Sequence, residues 1–235
     1  MIAGGLSVVI GASGGIGSAL LEHLQEASAP QTVIGLSRSS EPALDLLDEA
    51  TIEMAARHVS ERSSELGLPL RLVIDATGQL HDAHYQPERS LRELDPRQLA
   101  ASFALNAIGP ALLMKHFLPL LPKEGRSVFA TLSARVGSIG DNALGGWYGY
   151  RASKAALNQL TRTAAIEVRR RKPETICIAL HPGTVATALS APFAKSGLDV
   201  RPPATAARDL LAVIDGLVAA DSGGFRDQSG AAIPW

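Results

Sequence analysis

Short apolar runs and longer amphipathic stretches alternate along this chain. "LSVVIG" (6–11), "TVIGL" (32–36), "LRLVIDA" (70–76), "SVFATLS" (127–133) and "TICIAL" (175–180) are rich in valine, isoleucine and leucine. Runs of this kind, with little polar alternation, predict strands buried on both faces, as in a parallel sheet. Between them the apolar positions take helical spacing, roughly over 15–27, 48–66, 95–118, 148–171 and 204–220. Asp95-Pro96 reads as a cap followed by proline in the first turn. Gly109-Pro110 interrupts the third helical pattern and leaves a kink open there. The regular alternation predicts an α/β fold, a single doubly wound parallel sheet with helices on both faces, in one domain spanning 1–235. In such sheets ligands bind beyond the carboxyl ends of the strands, where strand order reverses. Functional residues are therefore expected just after the apolar runs.

The first run meets that expectation. It leads into "GASGGIG", which places Gly11, Gly15 and Gly17 between a predicted strand and a predicted helix. Glycine permits a tight turn and close approach of backbone to a pyrophosphate, and the helix start offers free N–H groups at the positive end of its dipole. This is the setting that a dinucleotide fingerprint requires. The second run ends in "GLSRSS", where an acidic residue would bind the ribose hydroxyls of NAD. Ser37 and Arg38 stand there instead. A guanidinium binds a 2′-phosphate through forked hydrogen bonds that a carboxylate would repel, so NADP(H) is expected over NAD(H).

Composition narrows the class of protein. Lys+Arg of 22 against Asp+Glu of 23 gives a net charge of −1, which implies no basic surface for nucleic acid. The densest basic run, 169–172, falls where a helix is predicted to end, and cations there complement the helix dipole. A lone cysteine, Cys177, excludes an intramolecular disulfide and multi-cysteine metal sites, and no metal site is expected. The first 21 residues carry no ionised side chain, yet six glycines interrupt them, so neither a signal peptide nor a membrane anchor is expected. The expectation is a soluble cytoplasmic protein.

"YRASK" (150–154) puts Tyr150 and Lys154 four positions apart, on one face of a helix. A phenol normally titrates near pH ~10, and an ammonium held close would lower that value toward a working range. Tyr148 has Ala152 at the same offset and lacks that partner. From "GASGGIG" through "YRASK" to the "PG" after the fifth run, the chain resembles the short-chain dehydrogenases/reductases, which share the Rossmann fold. The resemblance implies that Tyr150 is the general acid/base and that Lys154 tunes it and holds the nicotinamide ribose. It likewise implies that Ser133 in "TLSARVG" stabilises the substrate oxygen and that Asn106 in "FALNAIGP" supports a water relay.

The same resemblance implies cofactor contacts from Gly11, Ser13, Gly15, Ile16 and Gly17, from Ser37 and Arg38, and from Asp45 and Leu46. Further contacts are implied for Ala76 and Gly78, for Tyr150 and Lys154, and for Pro182, Gly183, Val185 and Thr187. "IDATG" (74–78) departs from the usual "INNAG", since Asp75 and Ala76 replace two asparagines. His181 reads as a strand-end packing residue, while His81, His84 and Tyr85 are placed to line a pocket. Seventeen positions separate Ser133 from Tyr150, more than is usual in the family, and the surplus is the glycine-rich "GSIGDNALGGWYG". A loop of that composition is suited to shaping a substrate mouth. "SARVGSIGDN" and "GGWYGYRASKAALN" look most like the branch containing the developmental C-factor and insect carbonyl-reductase-like proteins.

The leading expectation is an NADP(H)-dependent oxidoreductase of a small carbonyl or alcohol. Family resemblance adds a homodimer or homotetramer, and neither nucleic-acid nor membrane partners are expected. The alternative is a dinucleotide-binding signalling or sensor protein with residual catalysis. A methyltransferase would share the glycine turn but leave the serine, tyrosine and lysine unexplained.

Overall fold

The computed structural model describes residues 4–27, 32–83, 85–193 and 200–235. Eight strands are present among them: β1 (Leu6–Ile10), β2 (Val33–Leu36), β3 (Leu70–Asp75), β4 (Ser127–Leu132), β5 (Thr175–His181), β6 (Thr184–Val185), β7 (Val200–Arg201) and β8 (Phe225–Asp227). The helices are α1 (Gly15–Ala27), α2 (Glu49–Leu66), α3 (Pro96–Phe103), α4 (Gly109–Phe117), α5 (Tyr148–Arg169) and α6 (Pro203–Gly216). Six strands form one sheet in the order β2-β1-β3-β4-β5-β8, every pair parallel. Strand order reverses between β1 and β3, which opens the crevice expected for a ligand.

The strands are buried on both faces because their side chains alternate between two cores. On β1, Leu6, Val8 and Ile10 join one core with α2, α4 and α5, while Val9 joins the other with α1 and α6. Phe129 and Cys177 face the first core, and Val128, Ala130, Ile176 and Ile178 the second. Cys177 is fully buried, and burial pushes its thiol up to about 12, which keeps it inert.

Local signals explain the helix ends. Asp48 caps α2 by accepting from the Ala50 N–H, and Gly67 closes it in the left-handed region at φ 62°. Asp95 accepts from the N–H groups of Arg97 (2.9 Å) and Gln98 (3.1 Å), with Pro96 in the first turn, as expected. The helix does not break at Gly109-Pro110. It passes from α3 to α4 through a π-helical turn at Ala104–Ile108, a wider turn that suits a helix running into a proline. Gly109 is required there because a Cβ would lie 2.8 Å from that of Leu46. By length and composition the stretch Pro96–Leu120 could cross a membrane, but it packs as a cover helix against α2 and α5.

Two elements differ from the sequence reading. The sheet gains a sixth strand, β8, too short and too polar to register as an apolar run. The basic run past α5 does more than complement its own helix. Lys172 Nζ donates to the carbonyls of Leu118 (2.8 Å), Pro119 (2.8 Å) and Leu121 (2.5 Å), at the end of the neighbouring helical stretch.

Candidate active site

The glycine turn lies at the carboxyl end of β1. Gly11 takes φ 82°, and its N–H and that of Ala12 both donate to the Leu36 carbonyl, which ties the turn to the end of β2. A Cβ on Gly17 would lie 2.0 Å from the Gly11 carbonyl oxygen, so α1 can start this close to β1 only with glycine there. A Cβ on Gly15 would lie 2.8 Å from Thr187 Cγ2, which brings the loop after β5 to the start of α1. Ser13 belongs to the same turn, and Ile16 lies at the start of α1. At the end of β2, Ser37 is buried among the Ser39 and Ser40 hydroxyls, and Arg38 is exposed without an ion pair among the described residues. Asp45 Oδ1 accepts from the Leu47 N–H at 2.9 Å, and Leu46 packs beneath Gly109.

At the end of β3, Asp75 is fully buried beside Thr131 of β4. Its carboxyl accepts from the Thr131 hydroxyl (2.7 Å), the Thr77 hydroxyl (2.5 Å) and the Thr77 N–H (3.0 Å). Burial nonetheless pushes its pKa up, against those hydrogen bonds and the charge of Lys154. The Ala76 N–H donates back to the Ile10 carbonyl, so the two loop starts flanking the crevice are bonded together.

The four residues singled out around "YRASK" converge here. Asn106, in the π turn, holds the backbone of Gln79 at both ends: Oδ1 accepts from its N–H and Nδ2 donates to its carbonyl, each at 2.8 Å. A Cβ on Gly78 would lie 3.4 Å from Lys154 Nζ and 3.6 Å from Asn106 Oδ1, which locates all three in one spot. Lys154 Nζ donates to the Leu132 carbonyl at 2.8 Å and lies 6.0 Å from the centroid of the Tyr150 ring. Ser133, the next residue after Leu132, donates its hydroxyl proton to Asn158 Oδ1 at 2.7 Å. Residues one turn apart on α5 therefore grip neighbouring residues at the end of β4. Asn158 was not singled out from sequence, although it extends the four-residue spacing of Tyr150 and Lys154 along the same face.

The electrostatics correct one expectation. Burial pushes the Tyr150 phenol up to about 12 rather than down, through desolvation of the phenolate, while the Lys154 ammonium is committed to the Leu132 carbonyl. Burial also lowers Lys154 to about 8, with Asp75 opposing the shift.

Around this centre the wall is aromatic. Trp147 packs edge-on against Tyr150 (6.3 Å) and Phe193 (5.1 Å), and Phe193 against His81 (5.5 Å). Trp147 takes φ 53°, unusual for a bulky residue, and its N–H is held by the Glu88 carbonyl. Glu88, 1% exposed, also accepts the Gly149 N–H at the start of α5. Tyr85 lies beside Glu88; burial first, then that neighbouring carboxyl, push its phenol up to about 12. His84 lies outside the described residues. His181 sits at the end of β5, and burial holds it near 4, a neutral packing residue as expected. Val185 is buried in the short β6–β7 ladder, preceded by Pro182 and by Gly183 at φ 80°. No cluster of three or more metal-ligating side chains occurs among the described residues.

A doubly wound parallel sheet with a glycine turn at its switch point, facing a tyrosine–lysine pair, defines a dinucleotide-dependent oxidoreductase. The profile of the short chain dehydrogenase family matches residues 6–196, and the chain belongs to that family. It is 37% identical over 147 residues to C-signal of Myxococcus xanthus, a match that covers 62% of this chain and 84% of the relative. It is 31% identical over 195 residues to the 1-hydroxy-2-glutathionyl-2-methyl-3-butene dehydrogenase of Rhodococcus sp. (strain AD45), covering 83% and 80%. Among solved structures it is similar to an NADPH-bound carbonyl reductase from chicken fatty liver, with TM-score 0.84, 28% identity and 98% of each chain covered.

Proposed function

We propose that this oxidoreductase uses NADP(H) to interconvert a small carbonyl compound and its alcohol, with Tyr150 as general acid/base. The observation that carries the reading is the stacked placement of Lys154 beneath Tyr150 at the joint of β4 and α5, next to Asn106 and Gly78. The residues present fit the cofactor. Gly11, Gly15 and Gly17 let the turn pack closely on Ala76, on Thr187 and on its own backbone, and the amino terminus of α1 supplies N–H donors for a pyrophosphate. Ser13, Ile16, Pro182, Gly183 and Val185 would line it, with Asp45, Leu46, Ala76 and Gly78 along the adenosine side. Ser37 and Arg38, which stand at the end of β2 where an acidic residue would favour NAD, would hold a 2′-phosphate.

When bound, the nicotinamide supplies the hydride for the carbonyl carbon. Tyr150 Oη gives its proton to the substrate oxygen as negative charge develops there, and Ser133 Oγ contacts the same oxygen. Lys154 keeps a positive charge beside the phenol, which favours the phenolate left after transfer. Asn106 holds the Gly78–Gln79 backbone against Lys154, on the path by which protons would be replaced from solvent. Screening carbonyl compounds for NADPH oxidation tests the reading, and the absence of turnover with all of them would remove it.

We also propose one catalytic domain that works as a soluble cytoplasmic protein and assembles as a homodimer or homotetramer. The long helices carry exposed Ile108, Leu160 and Ile166, apolar groups that self-association would cover. Light scattering checks this directly. The similarity to C-signal favours a second reading, a dinucleotide-binding signalling protein with residual turnover. A Tyr150→Phe protein that keeps a cellular phenotype while losing turnover would support it.

A further inference from the structure

Asn158 stands one turn beyond Lys154 on α5 and is 2% exposed. Its Oδ1 accepts the Ser133 hydroxyl at 2.7 Å, and its Nδ2 faces the Gly137 carbonyl at 3.5 Å. The second contact decides the orientation of the amide. A flipped amide would set Oδ1 against the Gly137 oxygen, two acceptors with no proton between them. Oδ1 therefore faces Ser133, and the single hydroxyl proton of the serine rests on Asn158.

One amide thus spans both ends of the turn that follows β4. That turn has little freedom of its own. A Cβ on Gly137 would lie 2.8 Å from Lys154 Cβ, so its backbone is pressed against α5, while the Ser133 N–H is held by the Leu180 carbonyl at 2.8 Å. The backbone is fixed by these contacts, and Asn158 fixes the remaining freedom, the rotation of the hydroxyl. Tyr150, Lys154 and Asn158 follow one another at four-residue intervals along one buried face.

We propose that Asn158 is a positioning residue that acts on turnover only through Ser133, holding its hydroxyl in register with Tyr150. The proposal rests on the reading of Ser133 and Tyr150 as the pair that meets the carbonyl oxygen. Against a neutral carbonyl, the Asn158 amide oxygen competes for the serine proton on equal terms. As charge builds on the substrate oxygen, the charged acceptor becomes the stronger one by about a factor of two. The proton then turns to it. The contact between Ser133 and the substrate oxygen is made in the transition state more than in the ground state, so losing the placement that Asn158 gives Ser133 Oγ falls on kcat rather than KM.

The test is a double-mutant cycle of Asn158→Leu, Ser133→Ala and the double variant in the full chain. It reads kcat and KM for a carbonyl that the unaltered protein reduces, together with NADPH affinity and melting temperature. Asn158→Leu is expected to lower kcat about tenfold, because Ser133 Oγ is no longer held where it meets the developing charge, with KM and NADPH affinity little changed. In the Ser133→Ala background the same substitution is expected to change nothing further. An equal loss in both backgrounds, or no loss in either, overturns the proposal. Should the leucine variant fail to fold, Asn158→Ser keeps a polar group too short to bridge to Ser133 and runs the same cycle with the same two readings. Absence of turnover in the unaltered protein counts against the proposed activity, whereas turnover with additive losses counts against Asn158 alone.

Discussion

Lys154 lies beneath Tyr150, its ammonium 6.0 Å from the ring centroid, and is held there by the Leu132 carbonyl at 2.8 Å. Burial separates the two ionisations, raising the phenol to about 12 and lowering the amine to about 8. The amine is therefore the member of the pair that titrates near working pH.

A decline of activity on the alkaline side follows. Above about pH 8 Lys154 loses the charge that supports the phenolate, so kcat/KM for carbonyl reduction is expected to fall with an apparent pKa near 8. A pH profile that stays flat to pH 10 contradicts this. Stability moves the other way. The folded amine titrates below its unfolded value of 10.5, so the unfolded chain binds more protons between about 8 and 10.5. Stability should rise with pH across the lower part of that window, and Lys154→Met should abolish the rise. Urea unfolding at pH 7, 8, 9 and 10 measures both.

Asp75 is fully buried, and its carboxyl opposes the fall in the Lys154 pKa. Because its own folded pKa is raised, its contribution to stability is complete below the unfolded value of 3.8 and is lost as pH rises through the folded value. Asparagine can accept from Thr77 with its oxygen and donate to a turned Thr131 hydroxyl. Asp75→Asn is therefore expected to fold, to flatten the pH dependence of stability above about pH 4, and to move the alkaline limb of activity lower. A limb moved upward would show that Asp75 does not support the ammonium.

Arg38 tests the cofactor. Arg38→Asp places a carboxyl where a 2′-phosphate would lie, so the ratio of NADP to NAD affinities should fall by at least about tenfold. An unchanged ratio in a fluorescence titration would remove Arg38 from the cofactor site.

Lys172 caps three carbonyls at the end of the α4 stretch. Lys172→Met keeps much of the side-chain length but strands those acceptors, at a cost of about 1–3 kcal/mol. The expected readout is a lower denaturant midpoint with unchanged NADPH affinity. No change in midpoint would mean that water replaces the ammonium without loss.

The main strands and helices were legible because both-face burial leaves unbroken apolar runs and cover helices keep an amphipathic period. β8 was not, since Phe225, Arg226 and Asp227 are too few and too polar to stand out after two glycines. The π turn was hidden because helical spacing does not distinguish hydrogen bonds to the fourth residue from those to the fifth. The aromatic contacts of Trp147, Phe193 and His81 join positions remote in sequence, so no local pattern carried them. Tyr150 and Lys154 could be paired from their spacing alone. The direction of the Tyr150 shift could not, because it depends on how deeply the phenol is buried. Asn158 was visible in principle, as the third member of a four-residue series.

The most direct test of the Tyr150–Lys154 pairing is carbonyl-dependent NADPH oxidation by the unaltered protein and by Tyr150→Phe. The phenylalanine variant lacks only the phenolic hydroxyl, so turnover should fall by at least about a hundredfold while NADPH affinity stays near its original value. Turnover surviving in the variant at the original rate would contradict the account.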